Sequence, residues 1–266
     1  LDIIHGHGAD AMRFALAKMA THTQDVRMPV DLICPHTGRT FEPKFITIKG
    51  HIKVAAPIQE CPTDLAKKMV SSYGVASGKA TPTAEMPLAR NTSVKFDEGR
   101  NFANKLWNAV RFALTNLENA PASSGGEDLS APSDTLAECW ILSRLAATVE
   151  QTDGALRAYE FHNYVQGLYT FIWGDFCDWY IEVVKPTLRE NAHQQQVVAT
   201  VLDVVLRLLH PVMPYVTEQL WEQLNQVVPK RGVEGVVIPA SQLLVKAAWP
   251  AVDPALGDPQ AEQAFG

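Results

Sequence analysis

The sequence predicts a mainly α-helical protein, an antiparallel helical bundle with a small β-containing insertion. Three observations lead there. From residue 96 to residue 225, apolar residues recur at the three- and four-residue spacing of helices. That zone is cut by the breaker PASSGGEDLSAPSD and again at Pro186, so it reads as several helices rather than one. Short β-type runs such as KFITIKGHIKV are confined to a proline-rich stretch ahead of it. The chain has 266 residues, 47% of them apolar and 20% charged, which suits a soluble globular protein able to bury a sizeable core.

Four zones follow in order: residues 1–30, 31–95, 96–225 and 226–266. In the first, DAMRFALAKM (Asp10 to Met19) is rich in helix formers, with Gly8 just before it. The second carries Pro35, Pro43, Pro57, Pro62, Pro82 and Pro87 among its short β-type runs and reads as an insertion with irregular flanks. The third contains four helical segments. One runs from Asp97 to about Leu117. The next runs from Asp134 to about Ala158, and the Ser133 hydroxyl could cap it by accepting from orphan amides of its first turn. Another runs from Phe161 to Val184 and stops at Pro186. The last runs from Ala192 to about Asn225, broken by Pro211 and Pro214, each of which removes a backbone donor. Amphipathic helices with short connections pack antiparallel. Their spacing predicts burial of Phe102, Leu106, Val110, Trp140, Leu145, Phe171, Phe176, Leu202, Leu206 and Leu209. The fourth zone, rich in Pro, Gly and Val, reads as an extended C-terminal tail.

The net charge of −6 and a pI near 5.8 exclude a globally basic nucleic-acid binder but not a local basic patch. Four scattered cysteines, Cys34, Cys61, Cys139 and Cys177, make no disulfide scaffold and suit a reducing compartment, so a cytoplasmic location is expected. No apolar run approaches the roughly 20 residues of a membrane span, no signal peptide is visible, and no membrane partner is expected. The chain starts at Leu1, without Met, and so reads as a piece of something longer.

The most informative stretch is GRNFANKLWNAVRF, Gly99 to Phe112. On a helix, Phe102, Leu106, Val110, Ala113 and Leu117 share one face. Opposite them lie Asn101, Lys105, Asn108 and Phe112, with Asn104 and Arg111 alongside. The segment holds three cations, Arg100, Lys105 and Arg111, and no acid. Two readings stay open from the pattern. The face is solvated and Phe112 is a stray exposed or neighbour-covered ring. Or it is a single-strand nucleic-acid site, in which Phe112 stacks a splayed base, the Asn amides read its edge and the cations meet phosphates. Further on, Asp175, Asp178 and Glu182 form an acidic stripe that repels phosphate and calls for Arg or Lys partners on a neighbouring helix, or for solvent. The aromatics of FIWGDFCDWY cannot all face one way on an α-helix, which predicts a helix buried on more than one side.

GADAMRFAL (Gly8 to Leu16), GRNFANKLWNAVRF, AECWILSRL (Ala137 to Leu145), LYTFIWGDFCDWYIEVVKP (Leu168 to Pro186) and LLHPVMPYVTEQLWEQL (Leu208 to Leu224) closely resemble, in order, the C-terminal part of class I valyl-tRNA synthetases. NFANKLWNA and FCDWYIE favour the valine enzymes over their isoleucine and leucine relatives. The resemblance implies that residues 1–30 end a stem-contact region and that 96–225 form an anticodon-binding bundle. It supplies tRNA as the ligand for the face that the helical arithmetic defines, Arg100, Asn101, Asn104, Lys105, Asn108, Arg111 and Phe112. The implied partners are valine tRNA and, in cis, catalytic and editing domains. The HIGH and KMSKS signatures for ATP chemistry do not occur, so no catalytic residue and no cofactor are expected in this chain. ATP and Mg2+ go with the parent enzyme, and the chain alone is expected to be inactive. His5-Gly6-His7-Gly8 only superficially resembles HIGH and reads as loop. The alternatives are the same region of an isoleucine enzyme, or a helical interaction bundle.

The insertion, residues 31–95, separates segments that lie close together in many members of that family. Its CPHTG (Cys34 to Gly38) and CPTD (Cys61 to Asp64) each look like a zinc-ribbon knuckle whose second cysteine has been replaced, by Thr37 or Asp64. A structural zinc needs four ligands. Cys34, His36, His51 and Cys61 could in principle supply them, but Cys34 and His36 are awkwardly close, so a degenerate, metal-free ribbon is expected. Cys139 and Cys177 read as small core residues. A di-iron carboxylate bundle needs two Glu-x-x-His pairs; Glu190 and His193 form one, and there is no second.

Overall fold

The computed structural model describes residues 2–21, 28–117 and 135–265. Ser133 and the PASSGGEDLSAPSD breaker lie outside the described residues. The chain forms two compact units, one from residues 1–12 and 27–98, the other from 13–26 and 99–266.

The first unit opens with α1 (Asp2–His7), and Gly8, at φ +91°, makes the left-handed turn into α2 (Ala9–Met19). His5 to His7 therefore close a short helix, where a loop was expected. The His7 ring is buried, its Nε2 2.9 Å from the Thr92 hydroxyl and its Nδ1 3.4 Å from an Asp97 carboxylate oxygen. The strands are β1 (Asp31–Ile33), β2 (Thr40–Phe41), β3 (Phe45–Ile48), β4 (Ile52–Ala55), β5 (Ile58–Cys61) and β6 (Asp64–Val70). Then come α3 (Ser72–Ala76) and β7 (Arg90–Thr92). They pair antiparallel as a β2-β1-β7 sheet and as the hairpins β3-β4 and β5-β6. The KFITIKGHIKV run is the β3-β4 hairpin, turned by Lys49 and Gly50 in the left-handed region. A small core of Leu32, Cys34, Cys61, Met69 and Ala89 sits beneath Phe41. The buried Gln59 amide stitches strands together: it accepts from Lys44 N–H at 2.9 Å and donates to the Lys44 and Ala56 carbonyls at 2.9 and 3.0 Å.

The second unit is helical. Its elements are α4 (Lys95–Leu117), which starts in the first unit, then α5 (Leu136–Arg157), α6 (Phe161–Thr170) and a π-helix (Phe171–Tyr180). They continue with α7 (Ile181–Val184), α8 (Ala192–Leu209) and α9 (Pro214–Val227). Thr135 caps α5: its N–H, at 2.7 Å, and its hydroxyl both donate to the Glu138 carboxylate. The α8–α9 break falls at Pro211 to Met213, and Pro214 begins α9, where a missing N–H costs nothing. All ten residues whose burial the helical spacing predicts are buried.

One segment departs from simple helical periodicity. Over Phe171 to Tyr180 the backbone widens to i→i+5 bonding, which brings residues four and five apart into line. Phe171, Ile172, Phe176, Cys177, Tyr180 and Ile181 thus turn to the core together, while Trp173 is half-buried and Trp179 is 57% exposed. The aromatics that could not share one face of an α-helix mostly share one face of this wider one.

Helix α8 is buried on all sides from Gln194 to Leu209, polar residues included. Helices α5, α6 and α9 pack against it, and the C-terminal zone, expected as an extended tail, adds to the cover. That zone folds back instead, with a short β8-β9 pairing (Val236–Val237 with Ala251–Val252) and a final helix α10 (Pro259–Phe265). Leu244, Val236 and Ala261 join the main core, and Phe265 stacks on Trp140 at 4.8 Å. The cover is fastened at Asp203 of α8, 2% exposed, whose carboxylate accepts from both Arg207 and Arg231. Arg207 also donates to the carbonyls of Pro239 (2.8 Å) and Ala248 (2.7 Å), and the two guanidiniums lie 4.9 and 4.7 Å from the Trp221 ring centroid. Replacing Asp203 with Ala strands two buried cations. The expected outcome is a loss of about 3–5 kcal/mol in urea unfolding followed by tryptophan fluorescence. A loss under about 1 kcal/mol would show that water reaches the cluster.

Candidate nucleic-acid interface

The sequence segments that carry the family resemblance meet in space. Phe14 of α2 stacks on Phe102 of α4 at 4.9 Å; Phe102 meets Tyr169 at 5.3 Å, and Tyr169 stacks on Trp173 at 5.5 Å. Cations cap this ladder of rings, Lys18 lying 4.4 Å from the Tyr169 centroid and Lys105 4.8 Å from that of Trp173. Arg13 donates to the Pro211 and Val212 carbonyls at 2.7 and 3.1 Å, tying α2 to the α8–α9 break.

Helix α4 and the helical run from Phe161 to Val184 lie side by side and point the same way. Lys105 meets Asp178, Phe112 meets Lys185 and Asn116 meets Arg189, each pair 73 positions apart. Helix α5 runs antiparallel to the same partner, with Arg144 donating to Asp175 at 2.9 Å. The acidic stripe is thereby consumed by cations: Asp175 by Arg144, Asp178 by Lys105, and Glu182 by Lys185 at 3.3 Å.

The residues assigned to RNA fall into two groups. Arg100, Asn101, Asn104, Asn108 and Arg111 are exposed along α4. Lys105 and Phe112 are half-buried at the border with the neighbouring run. The Phe112 ring packs against the core, and the Lys185 ammonium lies 5.3 Å from its centroid. Of the two forms of the solvated-face reading, the structure fits the neighbour-covered one: the ring is held rather than stray. Lys105 is not a bare cation, since Asp178 compensates it and Trp173 faces it. Among the described residues, the Arg111 side chain makes no ion pair. Sequence reasoning missed Trp173, Asp178 and Lys185 as neighbours of this face. The acidic stripe announced a cationic partner but not which one.

Elsewhere, of Cys34, His36, His51 and Cys61, the two cysteines meet, their sulfurs 3.5 Å apart, but His36 turns to a carbonyl. His36 Nε2 lies 3.0 Å from the Lys68 carbonyl oxygen, and among the described residues no group of three or more His, Cys, Asp and Glu is arranged to hold a metal ion. Cys177 is a core thiol that burial pushes up to about 12. Tyr164, buried against α8 with its hydroxyl donating to the Leu208 carbonyl, is raised by burial and by Asp153. No helix among the described residues is long and apolar enough to cross a membrane.

Residues 138–266 match the family model for the anticodon-binding domain of tRNA ligase. The match takes in the π-helix and its neighbours but not α4. Over its whole length the chain is 36% identical to the valine–tRNA ligase of Rhodopirellula baltica, covering 24% of that protein. It is 42% identical over 74% of its length to the valine–tRNA ligase of Synechocystis, and 48% over 60% to that of Gloeobacter violaceus, covering 22% and 19% of those proteins. The chain spans about a quarter or less of the length of these relatives.

The side chains of Lys105 and Asp178 are about a third and a half exposed, so their pair is screened. A double-mutant cycle with Lys105→Ala and Asp178→Asn, read by thermal unfolding, is expected to give a coupling of about 0.5 kcal/mol. A coupling above about 2 kcal/mol would make the pair a structural anchor rather than an exchangeable contact.

Proposed function

Because the chain belongs to the valine–tRNA ligase family and carries its anticodon-binding domain, we propose that the α4 face receives the anticodon loop of a valine tRNA. The observation that carries the proposal is the held but half-exposed Phe112 ring, set on a face with Asn101, Asn104, Asn108 and Arg111 exposed around it. A splayed base stacks on Phe112, which needs an aromatic surface already fixed in place. The Asn amides offer both donors and acceptors to base edges and so carry discrimination. Arg100 and Arg111 meet phosphates and supply sequence-independent affinity. Lys105 acts differently: it contacts phosphate by exchanging Asp178 for the RNA.

On this reading the chain positions tRNA, and valine activation belongs to the catalytic region of the ligase, in cis with an editing domain. ATP and Mg2+ are assigned to that catalytic region, and no step in this chain runs through them. The relatives above are all named valine–tRNA ligases, and nothing in the structure favours the isoleucine alternative.

In the ligase that contains this chain, Phe112→Ala is expected to weaken tRNA binding by about 1–3 kcal/mol at fixed salt. Phe112→Leu fills much of the same space without a stacking plane, and is expected to lose affinity while unfolding near the wild-type temperature. Unchanged affinity in both variants would remove the stacking role. Arg111→Ala is expected to reduce the slope of log K against log salt by about 1, with anticodon preference intact. Asparagine variants are expected to shift preference between anticodons instead. A preference unchanged in all of them would place base reading elsewhere.

A further inference from the structure

The two cysteines left over from the degenerate knuckles face each other. Cys34 ends β1 and opens the CPHTG turn, closed by Gly38 N–H donating to the Cys34 carbonyl at 2.8 Å, with Gly38 at φ +70°. Cys61 ends β5, where the β5-β6 register shifts. Both side chains belong to the small core, and the Cys34 thiol points at the Cys61 sulfur, 3.5 Å away. The Thr63 hydroxyl lies 3.3 Å from the Cys61 sulfur. With His36 turned to a carbonyl, these are two sulfur ligands without the further donors that a structural zinc needs.

We propose that Cys34 and Cys61, both wholly buried in the folded chain, are a redox pair that closes to an intramolecular disulfide when local opening of this small core admits a hydroperoxide. Cys61 is the attacking sulfur. Hydrogen bonds from Thr63, through its hydroxyl and its backbone, bring this thiol down to about 7, against the opposing effect of its burial. The thiolate attacks the terminal peroxide oxygen and the O–O bond breaks. This leaves Cys61 sulfenic acid and an alkoxide, or hydroxide from hydrogen peroxide, which takes up a proton. Cys34 sulfur then attacks the Cys61 sulfur, the S–O bond breaks, and the hydroxyl leaves as water with the Cys34 proton. In sum, two thiols give two electrons and two protons, and the hydroperoxide is reduced to an alcohol, or water, plus water. Closure requires the sulfurs to approach by roughly 1.5 Å, to the usual bond length near 2.0 Å. That is a movement within reach of two side chains at the ends of short turns. The bond joins the CPHTG turn to the β5-β6 hairpin across 27 positions of chain.

The experiment treats the reduced chain with hydrogen peroxide, alkylates the remaining thiols and maps peptides without reduction. The expected result is one linked peptide pair, Cys34 with Cys61, lighter by two hydrogens and reopened by dithiothreitol, with Cys139 and Cys177 still alkylated. In Cys34→Ser the link is absent, and labelling of Cys61 by a sulfenic-acid probe is expected to rise several-fold over wild type. If that variant does not fold, the wild-type map decides by itself. The proposal is overturned by Cys61 sulfinic acid beside an intact Cys34 thiol in wild type, by linkage through Cys139 or Cys177, or by about one retained zinc per chain shielding both thiols.

Discussion

Helix α8 has no face toward water over sixteen consecutive residues, and the rest of the helical unit is arranged around that constraint. A helix buried all round cannot leave its polar side chains unpaired, because each would lose its hydration without replacement. Gln194 accepts from the Thr187 hydroxyl at 2.7 Å, Gln195 donates to the Arg189 carbonyl at 3.2 Å, and Thr200 donates back to the Gln196 carbonyl. Asp203 is the demanding case, a carboxylate held between Arg207 and Arg231. Burial lowers the affinity of the Arg231 guanidinium for its proton, and Asp203 opposes that. One carboxylate for two cations leaves donors to spare, and those spare donors take the carbonyls of Val228, Pro239 and Ala248. The charge cluster thus fixes the path of the C-terminal segment as well as the register of α8. The interaction is one of placement more than of net stability, since an apolar replacement of the whole cluster would remove its desolvation cost too.

The second device is the π-helical run. By widening the helix it gathers Phe171, Phe176 and Tyr180 into the main core, and it leaves Trp173 and Asp178 to meet α4. Those two groups hold Lys105, and Lys185, just beyond α7, lies over the Phe112 ring. The candidate RNA face is therefore a joint product of two helices, even though the assigned residues all lie on one.

Most of α4 was legible in the sequence. Phe102, Leu106 and Val110 fall on one helical stripe by spacing alone, and the same arithmetic puts Asn101, Asn104, Asn108 and Arg111 outside. What spacing could not supply was distance in sequence. The main core takes in Leu244 and Val236, tens of residues later, in a segment whose Pro and Gly content reads as extended. The π-helix was invisible because its trigger is packing: a run too aromatic for one α-helical face changes its hydrogen bonding so that most of the rings fit. The knuckle remnants at Cys34 and Cys61 were legible as motifs. Their mutual approach is made by packing in the small core between two separate sheets, which no spacing of single residues encodes.

Charge bookkeeping across the helical unit explains how a chain with a net charge of −6 can offer a face to a polyanion. A carboxylate repels phosphate only to the extent that its field is uncompensated at the RNA surface. Asp175 and Asp178 are neutralised at contact distance by Arg144 and Lys105, and Asp203 is buried among guanidiniums. The acids of the stripe nearest the face are thus paired with cations. The remaining long-range field of an acidic chain is screened beyond about 8 Å at physiological salt. The exposed part of α4 from Gly99 to Phe112 contributes Arg100 and Arg111 and no acid, with Asp97 and Glu98 confined to the first turn before it. The local sign of the field, not the global one, decides which polymer can approach. In this unit that sign is set by which acids have already been paired.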